Sequence, residues 1–494
     1  MLTALIIVPL VTHLRGADGY GLYALTTSLA LLFQQDLGMG PSAVRSIAIA
    51  VERSDHTRLR QIVASTRLFY LASSTLFSIV IGVGFLLLWP TYHIPAALHQ
   101  DSVVLACTSI LTVAFTLSFS AYRQILVGLG KLDLVNGIQS IQNILRIILS
   151  VALLSLTHVG VMAVGIIDAA CAFAAGLALV ALVQHSLQMR WVHLQEGRWE
   201  TFVEVFRLSA ELMIMNISAV MIMQMGSVIA SALLPLGAVA VYGASQRILQ
   251  GTKEITASLS SSVLPSAARS EARGADEKLR SIYTDGTRYA NSLMLIVTIP
   301  LVVLMPQVVD IWLGGSLDIR AVAVTAQVLV VSVWVNNNHL LAIPILTAKA
   351  KIRRFVILHA IWALSGTGLA VVFGLRWGTP GIAAGITFPV VVLESFYINW
   401  TVTVLKMRWQ EFVLTSILRP FSVLFTIGIV VFVPIKLLMS DDYHLGHTIG
   451  VILGWLIVAS VGVWRFVLKE NERARFMSRI RARFFPGKAG MRRD

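Results

Sequence analysis

The chain has 494 residues, 56% of them hydrophobic and only 13% charged, with a formal net charge of +14. A soluble protein of this length would carry about 25% charged residues to cover its surface. A mean hydropathy of +0.79 excludes that class. The composition is that of an all-α polytopic membrane protein.

A spanning helix needs about 20 mostly apolar residues. Taken in chain order, such segments fall near 1–14, 21–44, 64–89, 103–128, 134–157, 161–184, 208–232, 238–262, 288–308, 320–348, 355–375, 380–404, 419–439 and 447–468, about fourteen spans in all. The first is short: at 1.5 Å per residue it rises about 21 Å, against a hydrocarbon core of about 30 Å. It has no small-residue cleavage site and does not read as a signal peptide. The native chain is therefore expected to begin upstream of Met1. Cys107 and Cys171 fall inside spans, where a thiol packs as a small apolar group, and two cysteines supply no disulfide framework or metal cluster. The "SDDYHLGH" run gathers Asp441, Asp442, His444 and His447, but nothing fixes a ligand geometry, so it reads as a solvated loop. No nucleotide motif is present, and neither cofactor nor metal is expected.

Lys and Arg set the expected orientation. Connections after even-numbered spans hold Arg53, Arg58, Arg60, Lys131, Arg190, Arg273, Lys278, Lys351, Arg353 and Arg408. Those after odd-numbered spans hold little beyond Arg15, Arg320, Arg376 and Lys436. Both termini are expected in the cytoplasm. Because the positive charge sits in these loops and in the tail, it argues for anionic lipid rather than nucleic acid. In the tail Phe476, Ile480 and Phe484 recur at i, i+4 and i+8 among Arg473, Arg475, Arg479, Arg481 and Arg483. That pattern predicts a helix lying on an anionic leaflet.

The chain also repeats itself. "GPSAVRS" around Pro41 matches "LPSAARS" around Pro265, 224 residues later. "KLDLVNGIQ" from Lys131 matches "KIRRFVILH" from Lys351, and "GVMAVGI" ending at Ile166 matches "PGIAAGI" ending at Ile386. "GYGLYA" from Gly19 parallels "VYGASQ" from Val241. Four matches in one order predict two six-helix lobes in the same orientation, related by an axis along the membrane normal. The expected domains are an N-lobe at 1–184, a linker at 185–207, a C-lobe at 208–404, two extra helices at 405–468 and a basic tail at 469–494.

The stretches "GYGLYALTTSLALLFQQDLGMGPSAVRSIA", "GLGKLDLVNGIQSIQNILR" and "AVYGASQRI" resemble the polysaccharide transporter family of the MOP superfamily, the Wzx-type flippases. The resemblance runs through most of residues 1–468. It implies fourteen helices, a cationic cavity between two lobes, and translocation of an undecaprenyl-pyrophosphate-linked oligosaccharide. It implies a non-enzyme whose partners are that glycolipid and other polysaccharide assembly proteins, beside the anionic lipids expected at the tail.

The polar residues within the spans are read beside it, because ionisable groups there are costly and face a cavity or a partner. On the eighth span Gly243, Arg247, Gln250, Glu254, Ser258 and Ser261 share one helical face. Arginine suits a pyrophosphate, since its planar fork stays charged and donates bidentate hydrogen bonds. Arg247 and Arg146, the latter near mid-depth on the fifth span, are the leading candidates. Gln250, Glu254, Arg45, Arg269, Arg123, Asn336 and Asn337 are further candidates for the substrate, and Asp36 or Glu254 for energy coupling. Each has a plainer alternative. Arg45, Arg123 and Arg269 could anchor to headgroups. Asp168 and Glu394 could pair with buried arginines, and the Asn336–Asn338 block could serve interhelical hydrogen bonding. Met213, Met215, Met221, Met223 and Met225 read as packing. Three rival functions stay open: a lipid II-type flippase, a multidrug or cation antiporter, and a membrane glycan polymerase. The last would need clustered catalytic residues in a large outer loop, and the outer loops here are short.

Overall fold

A computed structural model describes residues 2–34, 38–88, 94–156, 159–187, 196–197, 200, 203, 210–438, 445–474 and 477–478. Every regular element among them is helical. In hydrocarbon each backbone N–H and C=O must be satisfied within its own segment, which helices do. Ten helices among the described residues are long and apolar enough to cross a membrane. The chain is an all-α, multi-pass membrane protein.

Helix α1 is Leu2–Phe33, with a kink at Gly16 where φ is 74°. Only glycine takes that value without strain, so the predicted first and second spans are joined by a bend instead of a loop. The second predicted span, 21–44, is not one helix. Helix α1 stops at Phe33, Gly38 again has positive φ (75°), and α2, Met39–Glu52, starts there. There follow α3 (His56–Leu88), α4 (His99–Gly128), α5 (Leu132–Leu156), α6 (Met162–Leu187), α7 (Ala210–Leu233) and α8 (Leu236–Ala272). Next come α9 (Asp276–Val303), α10 (Met305–Leu313), α11 (Ile319–Leu340), α12 (Ala342–Ala348) and α13 (Arg353–Val404), which contains two helices merged across a kink at Gly378. A short α14 (Trp409–Phe412) runs through a π-turn into α15 (Arg419–Leu438), and α16 (Leu445–Gly462) closes the series. Several helices outrun their predicted spans: α8 reaches Ala272 and α9 begins at Asp276. A hydropathy window finds only the hydrocarbon-facing part of a helix, and these ends are polar.

The chain forms two compact units. The first comprises Met1–Gly251, Val309–Ser332 and Lys351–Leu393; the second comprises Thr252–Val308, Val333–Ala350 and Glu394–Asp494. In the first unit Ile47, Leu59, Val63, Ile125, Leu126 and Val183 form one buried cluster from α2, α3, α4 and α6. A second cluster joins Ala30, Met39, Tyr70, Val113 and Leu117. Small residues let α1 and α8 approach closely. A Cβ placed on Gly21 would lie 2.2 Å from the Leu236 carbonyl oxygen, and one on Gly243 would lie 2.9 Å from Ala24 Cβ. Ile141, Ile144, Leu145, Ile148 and Leu149 stay exposed on one side of α5, a face suited to lipid.

The second unit has its own core of Leu295, Leu304, Leu424, Phe432 and Trp455. It also holds a buried polar network. Asn337 Nδ2 donates to Asn291 Oδ1 at 2.9 Å, and Asn291 Nδ2 donates to Asn338 Oδ1 at 2.7 Å and to the Ser416 carbonyl at 2.9 Å. The wholly buried Arg288 donates to Asp285 at 3.0 Å and also to Glu472, which ties the segment after α16 to α9.

Candidate functional site

On α5, Gln139, Gln142, Asn143 and Arg146 recur at i, i+3, i+4 and i+7, so they share the face opposite the exposed leucines and isoleucines. On α4, Ser109, Thr112, Thr116, Ser120 and Arg123 recur at i, i+3, i+7, i+11 and i+14. Helix α6 presents Gly165, Ala172, Ala175 and Gly176 to the same space, and a Cβ on Gly165 or Gly176 would strike Thr108 or Phe119, so the glycines let α4 pack close. Tyr23 and Thr27 of α1, Gln34 just beyond its end and Asn216 of α7 complete a cavity of about 570 Å³. All its lining residues belong to the first unit.

Its charged centre is built on three helices. Arg146 Nη2 donates to Asp168 Oδ2 at 2.8 Å and also to the Tyr23 hydroxyl. Tyr23 in turn donates to Asp168 Oδ2 at 3.2 Å. Both charged groups are mostly buried, with 27% and 16% of their side chains exposed. A buried ion pair of this kind is stable only while its partners are matched. Arg247 of α8 donates through Nη1 to Gln250 Oε1 at 3.0 Å and lies close enough to interact electrostatically with Asp168, Tyr23 and Tyr20. Two guanidinium groups therefore share the field of one carboxylate, leaving a net positive centre.

The structure thus brings together Arg146, Arg247 and Gln250, and places Arg123 on the cavity wall. Other candidates lie elsewhere. Arg45 on α2 and Arg269 on α8 are exposed and do not line the cavity. Glu254 is exposed, belongs to the second unit and does not line the cavity. The side chains of Ser258 and Ser261 lie outside the described residues, as does Asp36. Asn337 is buried in the network with Asn291, the interhelical role, and Asn336 beside it is half-buried. Asp168 pairs with an arginine, but Glu394 does not. Its Oε2 meets His339 Nδ1 at 2.7 Å, and the His339 ring stacks on Tyr397 with centroids 4.0 Å apart. A histidine on α11 reaches it because both groups sit on inward faces of the second unit. Of the acidic outer run, Asp441, Asp442 and His444 lie outside the described residues. So do Arg475, Phe476 and the tail from Arg479 onward.

Sequence reasoning missed Gln124, Gln139, Gln142, Asn143 and Asn216. The signal was present: within "NGIQSIQNILR" the amides fall at helical spacing with Arg146. Tyr23 is a second omission, a member of "GYGLYA" whose hydroxyl holds the ion pair.

A family profile described as "Polysaccharide biosynthesis protein" matches residues 1–271, more than half of the chain. The chain belongs to this family. The matched segment includes every residue that lines the cavity. No curated protein sequence matches the chain. Among solved structures, the fold is similar to an inward-facing multidrug resistance MATE family transporter of the MOP superfamily, with TM-score 0.71 and 14% identity over 82% of this chain and 94% of that one. It is similar to the lipid II flippase MurJ in an inward closed conformation, with TM-score 0.68 and 16% identity over 94% of this chain and 96% of that one. A MOP superfamily transporter from Pyrococcus furiosus, described for the reverse polarity of its binding pocket, gives TM-score 0.57 and 14% identity over 82% of this chain and 92% of that one. At these identities the likeness establishes the fold alone, one that the chain shares with these transporters.

Proposed function

We propose that the protein is a flippase, moving a polyprenyl-pyrophosphate-linked oligosaccharide across the cytoplasmic membrane by alternating access for surface polysaccharide biosynthesis. The observation that carries this reading is the pair Arg146 and Arg247 set about one carboxylate beside an amide-lined cavity. A flippase must shelter a polar headgroup while its lipid tail stays in hydrocarbon. Two arginines offer bidentate hydrogen bonds to a pyrophosphate. Asp168 and Gln250 hold the guanidinium groups in place until the anion arrives, and a dianion then outcompetes one carboxylate for them. No bond is made or broken, and no catalytic group is required.

The family supports a role in polysaccharide biosynthesis, and the match to MurJ over 94% of this chain supports a flippase. A lipid II-type precursor remains the second reading, favoured by that same likeness. A cation antiporter fits less well, since the centre carries two arginines for one acid. The loop charges support cytoplasmic termini, and a polyprenyl-linked substrate made in the cytoplasm supports the inner membrane. Cells lacking the protein test the reading. They should accumulate a lipid-linked surface glycan with its sugars facing the cytoplasm, cleared by the wild-type protein. Accumulation of lipid II instead would select the second reading, and no accumulation of either would contradict both.

A further inference from the structure

We infer that the cavity of the first unit is a subsite for the sugar units of the headgroup, adjoining the arginine centre that meets the pyrophosphate; this rests on the flippase reading. Its volume of about 570 Å³ falls within the roughly 300–1,000 Å³ typical of small-molecule sites. That is room for a short oligosaccharide. The wall is rich in amides: Gln124, Gln139, Gln142, Asn143 and Asn216 come from three helices and Gln34 from the end of α1. Each amide offers donors and an acceptor together, the combination that a sugar hydroxyl, itself donor and acceptor, can satisfy from either side.

Gln139 and Gln142 bond each other at 3.3 Å, but the side chains of Gln34, Gln124, Asn143 and Asn216 have no hydrogen-bond partner among the described residues. Gln124 is buried overall, yet it lines the cavity, where a sugar hydroxyl can pair with its amide. The hydroxyls of α4 add acceptors. Thr112 Oγ1 donates to the Thr108 carbonyl and Ser120 Oγ to the Thr116 carbonyl, each at 2.7 Å. With their protons turned back onto the helix, their lone pairs are left to receive sugar hydroxyls. The lining carries Arg123 on the α4 wall and the Arg146–Asp168 pair, so it accepts acidic as well as neutral sugars. Phe119 supplies an aromatic wall.

Site-specific photocrosslinking in cells tests this. The probe is the cells' own lipid-linked glycan, labelled in its sugars with a tritiated hexose and in its pyrophosphate with radiophosphate. A benzophenone amino acid replaces Gln142, Thr112, Gln250 or, as the lipid-facing control, Ile148, and each variant is checked for membrane insertion. Sugar label on the Gln142 and Thr112 variants should exceed that on Ile148 by at least about tenfold, since a cavity of this size encloses most of a ligand's surface. Two positions on different helices guard against one variant failing to fold. Sugar and phosphate label at Gln250 with none above control at Gln142 and Thr112 would overturn the subsite and leave the flippase reading standing. Label at none of the positions would overturn both.

Discussion

Arg247 donates to Gln250 at 3.0 Å and sits in the field of Asp168, so its charge is positioned but not cancelled one for one. Removing a charged hydrogen bond to a buried anion costs about 1.5–3 kcal/mol, roughly tenfold to a hundredfold in affinity. Arg247→Ala should therefore abolish or strongly reduce glycan export while the protein inserts normally, and Arg247→Lys should rescue it only in part because the fork is lost. Export assayed at matched protein levels checks this. Arg146 differs, since it is paired. Breaking a buried pair by deleting one partner costs about 3–5 kcal/mol when fully buried, and less here where both side chains keep some exposure. Arg146→Ala should lower thermal stability in detergent more than Arg146→Ala combined with Asp168→Ala, in which no charge is left alone; equal or greater loss in the double variant would contradict the pairing. The arginines were legible in the sequence because a charge inside a span stands out. Gln124, Gln142 and Asn143 were not, since amides barely alter the hydropathy of a span and their common face appears only when neighbouring helices enclose it.

Between α1 and α8 the contact is made by glycines, and this is where an element can be tested. A methyl group on Gly21 would strike the Leu236 backbone at 2.2 Å, and backbone cannot swing aside as a side chain would. Gly21→Ala should destabilise the protein by about 1–3 kcal/mol, the usual cost of overpacking. Gly84→Ala, on α3 with nothing within 4 Å of the new Cβ, should be neutral or slightly stabilising. Thermal unfolding of the two purified variants checks the contrast. Hydropathy located most of the spans and the gap at Gly16, which falls among His13, Arg15 and Asp18, but it ran the second span through the break before Gly38. The first "PSA" copy therefore opens the separate α2, while the second lies within the unbroken α8.

Composition was enough to point to a membrane protein, because so few charges cannot cover a soluble surface of this size, and recurring apolar runs of about 20 residues made it helical. The expected orientation rests on loop charges and is testable across the whole molecule. In a variant with Cys107 and Cys171 replaced, single cysteines at the exposed positions Asp18 and His99 should react with an impermeant thiol reagent added outside intact cells, and one at Asp276 should not. Labelling at Asp276 would reverse the proposed topology. The companion outer position, Asp441, lies outside the described residues. The central claim, that the protein carries a polyprenyl-pyrophosphate-linked glycan across the bilayer, is tested most directly in proteoliposomes. Purified protein is reconstituted with the glycolipid in both leaflets, with and without an imposed pH gradient, and an impermeant glycosidase is added outside. The account predicts that wild-type protein makes the inner-leaflet glycolipid accessible to the enzyme, whereas Arg247→Ala leaves it protected. An inner pool as well protected with wild-type protein as in protein-free liposomes, under either condition, would contradict it.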